Sequence, residues 1–166
     1  VEALVEAGRE STLAAQVAGR ILELRVEAGD RVKQGQLIAR IDDAEIRQGV
    51  AGNQAQVAQA RANLANAQAQ YERSKQLVAR KFVSQSALDQ TRANYDAAQA
   101  QVAAASAGVA QASATRGFST ISAPFSGLVS ARLAQVGEMA SLGRPLATLF
   151  DPATLRVVAS VPQSRL

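Results

Sequence analysis

No cysteine, histidine or tryptophan occurs in this 166-residue chain, and there is a single methionine. Those absences remove disulfides, thiolate nucleophiles, Cys/His zinc sites and any histidine-based triad. Soft metals lose their usual ligands as well, since Met139 stands alone. Aromatic residues make up only 4%, too few to interleave with cations as a stacking platform, so nucleic acid is not an expected partner. No apolar run approaches the roughly 18–20 residues of a membrane span. A chain that opens at Val1 rather than Met reads as a processed or excised piece. Hydrophobic residues reach 48%, largely alanine, which suits close helix packing better than a thick globular core.

Between Ala44 and Arg116 there are 22 Ala and 12 Gln but no Pro; all four prolines (Pro124, Pro145, Pro152, Pro162) come later. This middle stretch reads as helical, and the Gly- and β-branched-rich stretches on either side read as short strands with turns. Val50, Val57, Leu64, Tyr71 and Val78 recur every seventh residue, as do Leu88, Tyr95, Val102 and Val109. Such a repeat predicts a coiled coil. The two series mirror each other about Val83: Val78 with Leu88, Tyr71 with Tyr95, Leu64 with Val102, Val57 with Val109. The chain is therefore expected to double back near position 83 into an antiparallel hairpin, each arm roughly 50 Å long. Ala60, Ala67, Ala98, Ala105 and Ala112 fill other seam positions and permit close approach.

The flanks align with each other at a constant offset of 108 residues. Gly19, Gly29 and Gly35 match Gly127, Gly137 and Gly143, and Thr12, Ala15, Ala39 and Asp43 match Thr120, Ala123, Ala147 and Asp151. Glycines at fixed spacing mark tight strand turns, where a positive φ costs them nothing. The pattern predicts an internal duplication: two four-strand halves about a pseudo-twofold axis, with the coiled coil inserted between them. One detail conflicts. Leu22, Leu24 and Val26 alternate in one phase and Val129, Ala131 and Leu133 in the other; a bulge could reconcile them, but no residue in the sequence marks one.

The run Gly19-Arg-Ile21, Gly29-Asp30-Arg-Val32-Lys33-Gln-Gly35, Ile41-Asp42 resembles the first half of a biotinyl/lipoyl-like domain. The run Ile121-Ser-Ala123-Pro124-Phe125-Ser-Gly127-Leu-Val129, Val136-Gly137-Glu138 looks like its second half. A lipoyl-like domain split by a long α-hairpin resembles the periplasmic adaptor subunits, or membrane fusion proteins, similar to hemolysin-D-like and AcrA-like components of efflux pumps and type I secretion systems. The resemblance implies an α+β fold: lipoyl-like β-sandwich half-domains split by a long antiparallel coiled-coil hairpin. The expected boundaries are 1–7 as a stub of a β-barrel domain, 8–43 and 117–151 as the two lipoyl-like halves, 44–116 as the hairpin, and 152–166 as the start of the truncated barrel.

Carriers of biotin or lipoate modify a Lys on the turn between the halves, but here that stretch is Asp42-Asp43-Ala44-Glu45. No cofactor, bound metal or enzymatic activity is expected. Lys33 lies in another turn and reads as a surface charge.

The resemblance further implies a non-enzymatic role in the periplasm. The protein would be attached to the inner membrane through a segment not in this chain, and would link an inner-membrane transporter, by preference of the resistance-nodulation-division (RND) type, to a TolC-like outer-membrane channel. Self-association into a ring, as a hexamer, is implied as well. Channel contact in the family uses an Arg-Leu-Ser motif, and Arg73, Leu77 and Ser84 carry its spacing. From the residues alone, Arg73 and Leu77 are i, i+4 neighbours off the 71/78 seam. Ser84 or Ser86 would cap the second helix, the latter with Asp89 as a capping box. The hairpin holds eight basic and four acidic residues, the whole net charge of +4, and four of the basic ones cluster from Arg73 to Lys81. A basic tip suits an acidic protein rim. The competing readings are a type I secretion adaptor and a coiled-coil or lipoyl-like scaffold with no export role.

Overall fold

A computed structural model describes the backbone of residues 2–160 and the side chains of residues 8–154. Residues up to Asp43 join those from Gly117 onward in one compact unit, and Ala44–Arg116 form a second.

The first unit holds strands β1 (Glu2–Ala7), β2 (Glu10–Ala14), β3 (Gly19–Leu24), β4 (Arg31–Val32) and β5 (Leu37–Ile41) before the helices. After them come β6 (Thr120–Ser122), β7 (Gly127–Arg132), β8 (Met139–Ala140), β9 (Pro145–Phe150) and β10 (Leu155–Ser160). Strands β3, β4 and β5 recur 108 residues later as β7, β8 and β9. The two four-stranded sheets run β2-β9-β7-β4 and β6-β5-β3-β8, and each becomes the other when the halves are exchanged. Every sheet therefore mixes strands from both halves, so neither half completes a sheet alone.

The duplication extends to single hydrogen bonds. The Gly29 amide donates to the Val129 carbonyl and that of Gly137 to the Ile21 carbonyl, both at 2.8 Å; Gly35 and Gly143 donate likewise to Ala123 and Ala15. All four glycines have φ between +79° and +96°, the left-handed region that disfavours a Cβ. The six largest fully buried side chains form three equivalent pairs: Ile21 with Val129, Ile38 with Leu146, and Ile41 with Leu149.

The conflict of phase disappears in the strands themselves. Both β3 and β7 shift register at the same relative position, between Ile21 and Glu23 against β5 and between Val129 and Ala131 against β9. Each strand is thus bulged just after its buried Ile21 or Val129, and the chain turns inward again at Val26 and Ala134, which are both buried. Leu22 and Leu133 are 42% and 47% exposed. Both belong to the alternating apolar sets, yet they lie outside the buried face.

Strands β1 and β10 pair antiparallel as a separate two-stranded sheet, from Glu2 opposite Ser160 to Ala7 opposite Leu155. Val1 and residues 161–166, parts of the expected barrel stubs, lie outside the described residues.

The second unit is a helical hairpin of α1 (Ala44–Ala79) and, up to Arg116, α2 (Gln85–Gly117). At 1.5 Å per residue these helices are about 54 Å and about 50 Å long. On α1 the less exposed positions are 46, 50, 53, 57, 60, 64, 67, 71, 74 and 78, joined by 77, and on α2 they are 88, 91, 95, 98, 102, 105, 109 and 112, joined by 108. This alternation of three and four is the heptad seam. Only Ala60 is buried, 4% exposed, because a pair of helices covers one stripe of each and leaves the rest to water. Tyr71 stacks on Tyr95 with ring centroids 5.7 Å apart and planes at 16°, which sets the antiparallel register. Asn53, Ser74 and Thr91 put polar groups in the seam. Thr91 satisfies its hydroxyl on the Leu88 carbonyl at 2.9 Å.

Candidate functional site at the hairpin tip

Residues 80–84 reverse the chain, and backbone hydrogen bonds define how. The Lys81 amide donates to the Val78 carbonyl and the Phe82 amide to the Leu77 carbonyl, both at 2.9 Å. That pair of bonds closes a helix in the Schellman manner, with the residue after the cap in the left-handed conformation. Glycine usually fills that place; here it is Lys81, with φ 61°. Helix α2 restarts at once. The Ser84 hydroxyl accepts from the Ala87 amide at 3.2 Å, so Ser84 is the N-cap and Ser86 lies inside the first turn. Asp89 receives the Gln85 side-chain amide at 3.1 Å instead of closing a capping box.

Arg73 is exposed, and Leu77, one turn further along α1, is half-buried beside the seam residue Val78. Leu77 thus offers a partner only part of its surface, while its carbonyl helps to close the turn. Ser84 is exposed and occupied by its capping bond. Next to them Lys75 is held by Glu72 at 3.3 Å, with its ammonium 5.2 Å from the Tyr71 ring.

Residues 9–151 match the family described as RND MFP, barrel-sandwich hybrid domain. The chain belongs to this membrane fusion protein family. Among curated relatives, it is 33% identical over 162 residues to the multidrug resistance protein MdtA of Escherichia coli O17:K52:H18, covering 96% of this chain and 39% of that protein. The chain spans between 38% and 53% of the length of the first curated relatives it matches. Among solved structures, MacA from Actinobacillus actinomycetemcomitans superposes with a TM-score of 0.73 at 23% identity, over 98% of this chain and 55% of that one. ZneB from Cupriavidus metallidurans gives 0.64 at 26% identity, over 90% and 64%. The likeness to MacA is one of fold.

Two features of this membrane fusion protein's tip escape a reading of the sequence. The left-handed Lys81 has no signal, since nothing in Ala-Arg-Lys-Phe announces a positive φ. Phe82 had a signal in its position off both heptad series, yet its 73% exposure follows only from the turn geometry.

Proposed function

We propose that this chain is the core of a periplasmic adaptor subunit. It would connect an inner-membrane transporter of the RND type to a TolC-like outer-membrane channel through the hairpin tip. The β unit would associate side by side with copies of itself into a hexameric ring, and the hairpins would line up as a tube. Strands β1 and β10 are then the two ends of a β-barrel domain that continues beyond the chain, and the protein is tethered to the inner membrane by a segment outside it. Arg73 and the open part of Leu77 would touch the channel, and Ser84 would hold the second helix in place for them. The role is architectural, without catalysis, cofactor or metal.

The observation that carries this reading is the tip itself. An exposed Arg73 and a partly open Leu77 lie one helical turn apart, against a turn locked on both sides. Arg73→Glu in the full-length protein tests it, in cells lacking their own adaptor. The expected result is loss of drug efflux and of adaptor–channel cross-linking, with helix content unchanged. Efflux at the wild-type level in this charge-reversed variant would refute the adaptor reading.

A further inference from the structure

Every other large apolar side chain of the hairpin is half-buried in or beside the seam; Phe82 alone is exposed, at 73%. Single exposed apolar residues are ordinary on protein surfaces, so exposure by itself proves little. Two further observations set Phe82 apart. The first is its backbone. Lys81 adopts φ 61°, a conformation that non-glycine residues avoid, and the Phe82 amide is tied to the Leu77 carbonyl at 2.9 Å. Two residues later the Ser84 cap fixes the start of α2. Phe82 and the half-buried Val83 are bracketed between these locks, one turned out and the other turned in.

The second observation is charge. Arg73, Arg80 and Lys81 are exposed and make no ion pair with described residues. The nearby carboxylates are already engaged, Glu72 with Lys75 and Asp89 with Gln85. Lys81 precedes Phe82 directly and Arg80 stands two residues before it, and Arg73 lies about 10 Å back along α1 from Arg80. The tip therefore presents one exposed aromatic ring on a fixed backbone, close in sequence to uncompensated cations. Aromatic and Arg side chains are the types in which binding free energy concentrates. Surrounding charge chiefly sets the encounter rate and excludes surfaces of like sign.

We propose that Phe82 is the anchor of the tip's docking surface and that its socket is an apolar pocket rimmed by carboxylates on the outer-membrane channel. This rests on the adaptor reading above. A lipid surface is the poorer fit, because one ring and three cations bind a bilayer marginally and gain nothing from a fixed orientation.

The test uses the full-length adaptor and a purified TolC-like channel with which it supports efflux, held in nanodiscs of neutral lipid. Phe82→Ala is expected to weaken binding at least about tenfold, through faster dissociation. Phe82→Leu retains most of the affinity. Replacing Arg80 and Lys81 together by Ala slows association, and the difference fades above about 0.5 M salt. Near-ultraviolet circular dichroism of the stacked Tyr71 and Tyr95 checks that each variant keeps the hairpin. If Phe82→Ala binds within twofold of wild type while Arg73→Ala or Leu77→Ala loses the channel, the anchor is wrong and the adaptor reading stands. If none of the three changes binding, the adaptor reading falls with it. Tight binding to vesicles of roughly 70% phosphatidylethanolamine and 30% phosphatidylglycerol, lost in Phe82→Ala, would overturn the protein socket.

Discussion

Among the described residues, six large side chains of the β unit are under 2% exposed, whereas in the hairpin a single alanine is buried. The β unit holds its register through a shared core and through backbone contacts that tolerate no side chain at certain points. The hairpin holds its own through a repeated stripe of half-buried residues and one aromatic stack. Loss of a contact in the first case disturbs both sheets, because each sheet contains strands from both halves. In the second case the disturbance stays near the altered turn of helix, since neighbouring heptads carry the seam independently. The β unit is thus built to fail as a whole and the hairpin by degrees.

Gly127→Ala attacks that difference hardest. A Cβ there would overlap the Phe150 carbonyl oxygen and come within 3.1 Å of its carbon, so β7 and β9 must part. The expected cost is about 3 kcal/mol or more, near the top of the range for single substitutions. At the equivalent Gly19 the Cβ meets the Ile41 Cγ2 at 2.7 Å and the Asp42 carbonyl oxygen at 3.0 Å. The backbone contact is looser there, so Gly19→Ala should destabilise less. Urea unfolding followed by far-ultraviolet circular dichroism, with tyrosine fluorescence as a second probe, measures both. The only two tyrosines, Tyr71 and Tyr95, lie in the hairpin, so the second signal follows that unit alone. If Gly127→Ala leaves the unfolding midpoint of the β unit unmoved, close strand approach is not what the glycine supplies.

The duplication itself makes the next prediction. Ile38 and Leu146 occupy equivalent places, both at 0% exposure. Truncating either to Ala should cost about 2–5 kcal/mol, and the two losses should agree within about 1 kcal/mol if the halves share one core symmetrically. A large disparity in urea midpoints would mean that one half carries the stability and the other follows. Combining the two changes should give more than their sum, since the sites belong to one packed interior.

These cases also show how much was legible beforehand. The pairing of halves was readable because glycines at positive φ and buried aliphatics must stay at fixed spacing, and Gly29, Gly35, Gly137 and Gly143 keep it. The helical hairpin was readable from the mirrored heptads, down to Tyr71 beside Tyr95. What stayed hidden has a physical reason in each case. The paired bulges in β3 and β7 depend on ladder geometry and leave no residue signature, so the two apolar alternations read as out of phase. The exchange of strands between sheets is a long-range choice that local patterns do not encode. At the tip, Arg73, Leu77 and Ser84 stood out by spacing, whereas Lys81 gave no sign of its left-handed backbone.

Lys81 supplies the smallest expected effect and the finest probe of the hairpin. A Lys at φ 61° carries a steric penalty that Gly avoids, roughly 1–2 kcal/mol in the left-handed region. Gly in turn loses more freedom on folding, by roughly 0.5–1 kcal/mol. The balance predicts that Lys81→Gly stabilises the hairpin by about 0.5–1 kcal/mol, and a raised urea midpoint in tyrosine fluorescence would show it. The midpoint of the β unit should not move. The same variant keeps the two backbone bonds to Val78 and Leu77 and hence the display of Phe82, while removing one cation. Channel association should therefore slow modestly at low salt and the dissociation rate should stay as it was. A lowered hairpin midpoint would show instead that the Lys side chain stabilises the turn through contacts worth more than the strain of its backbone.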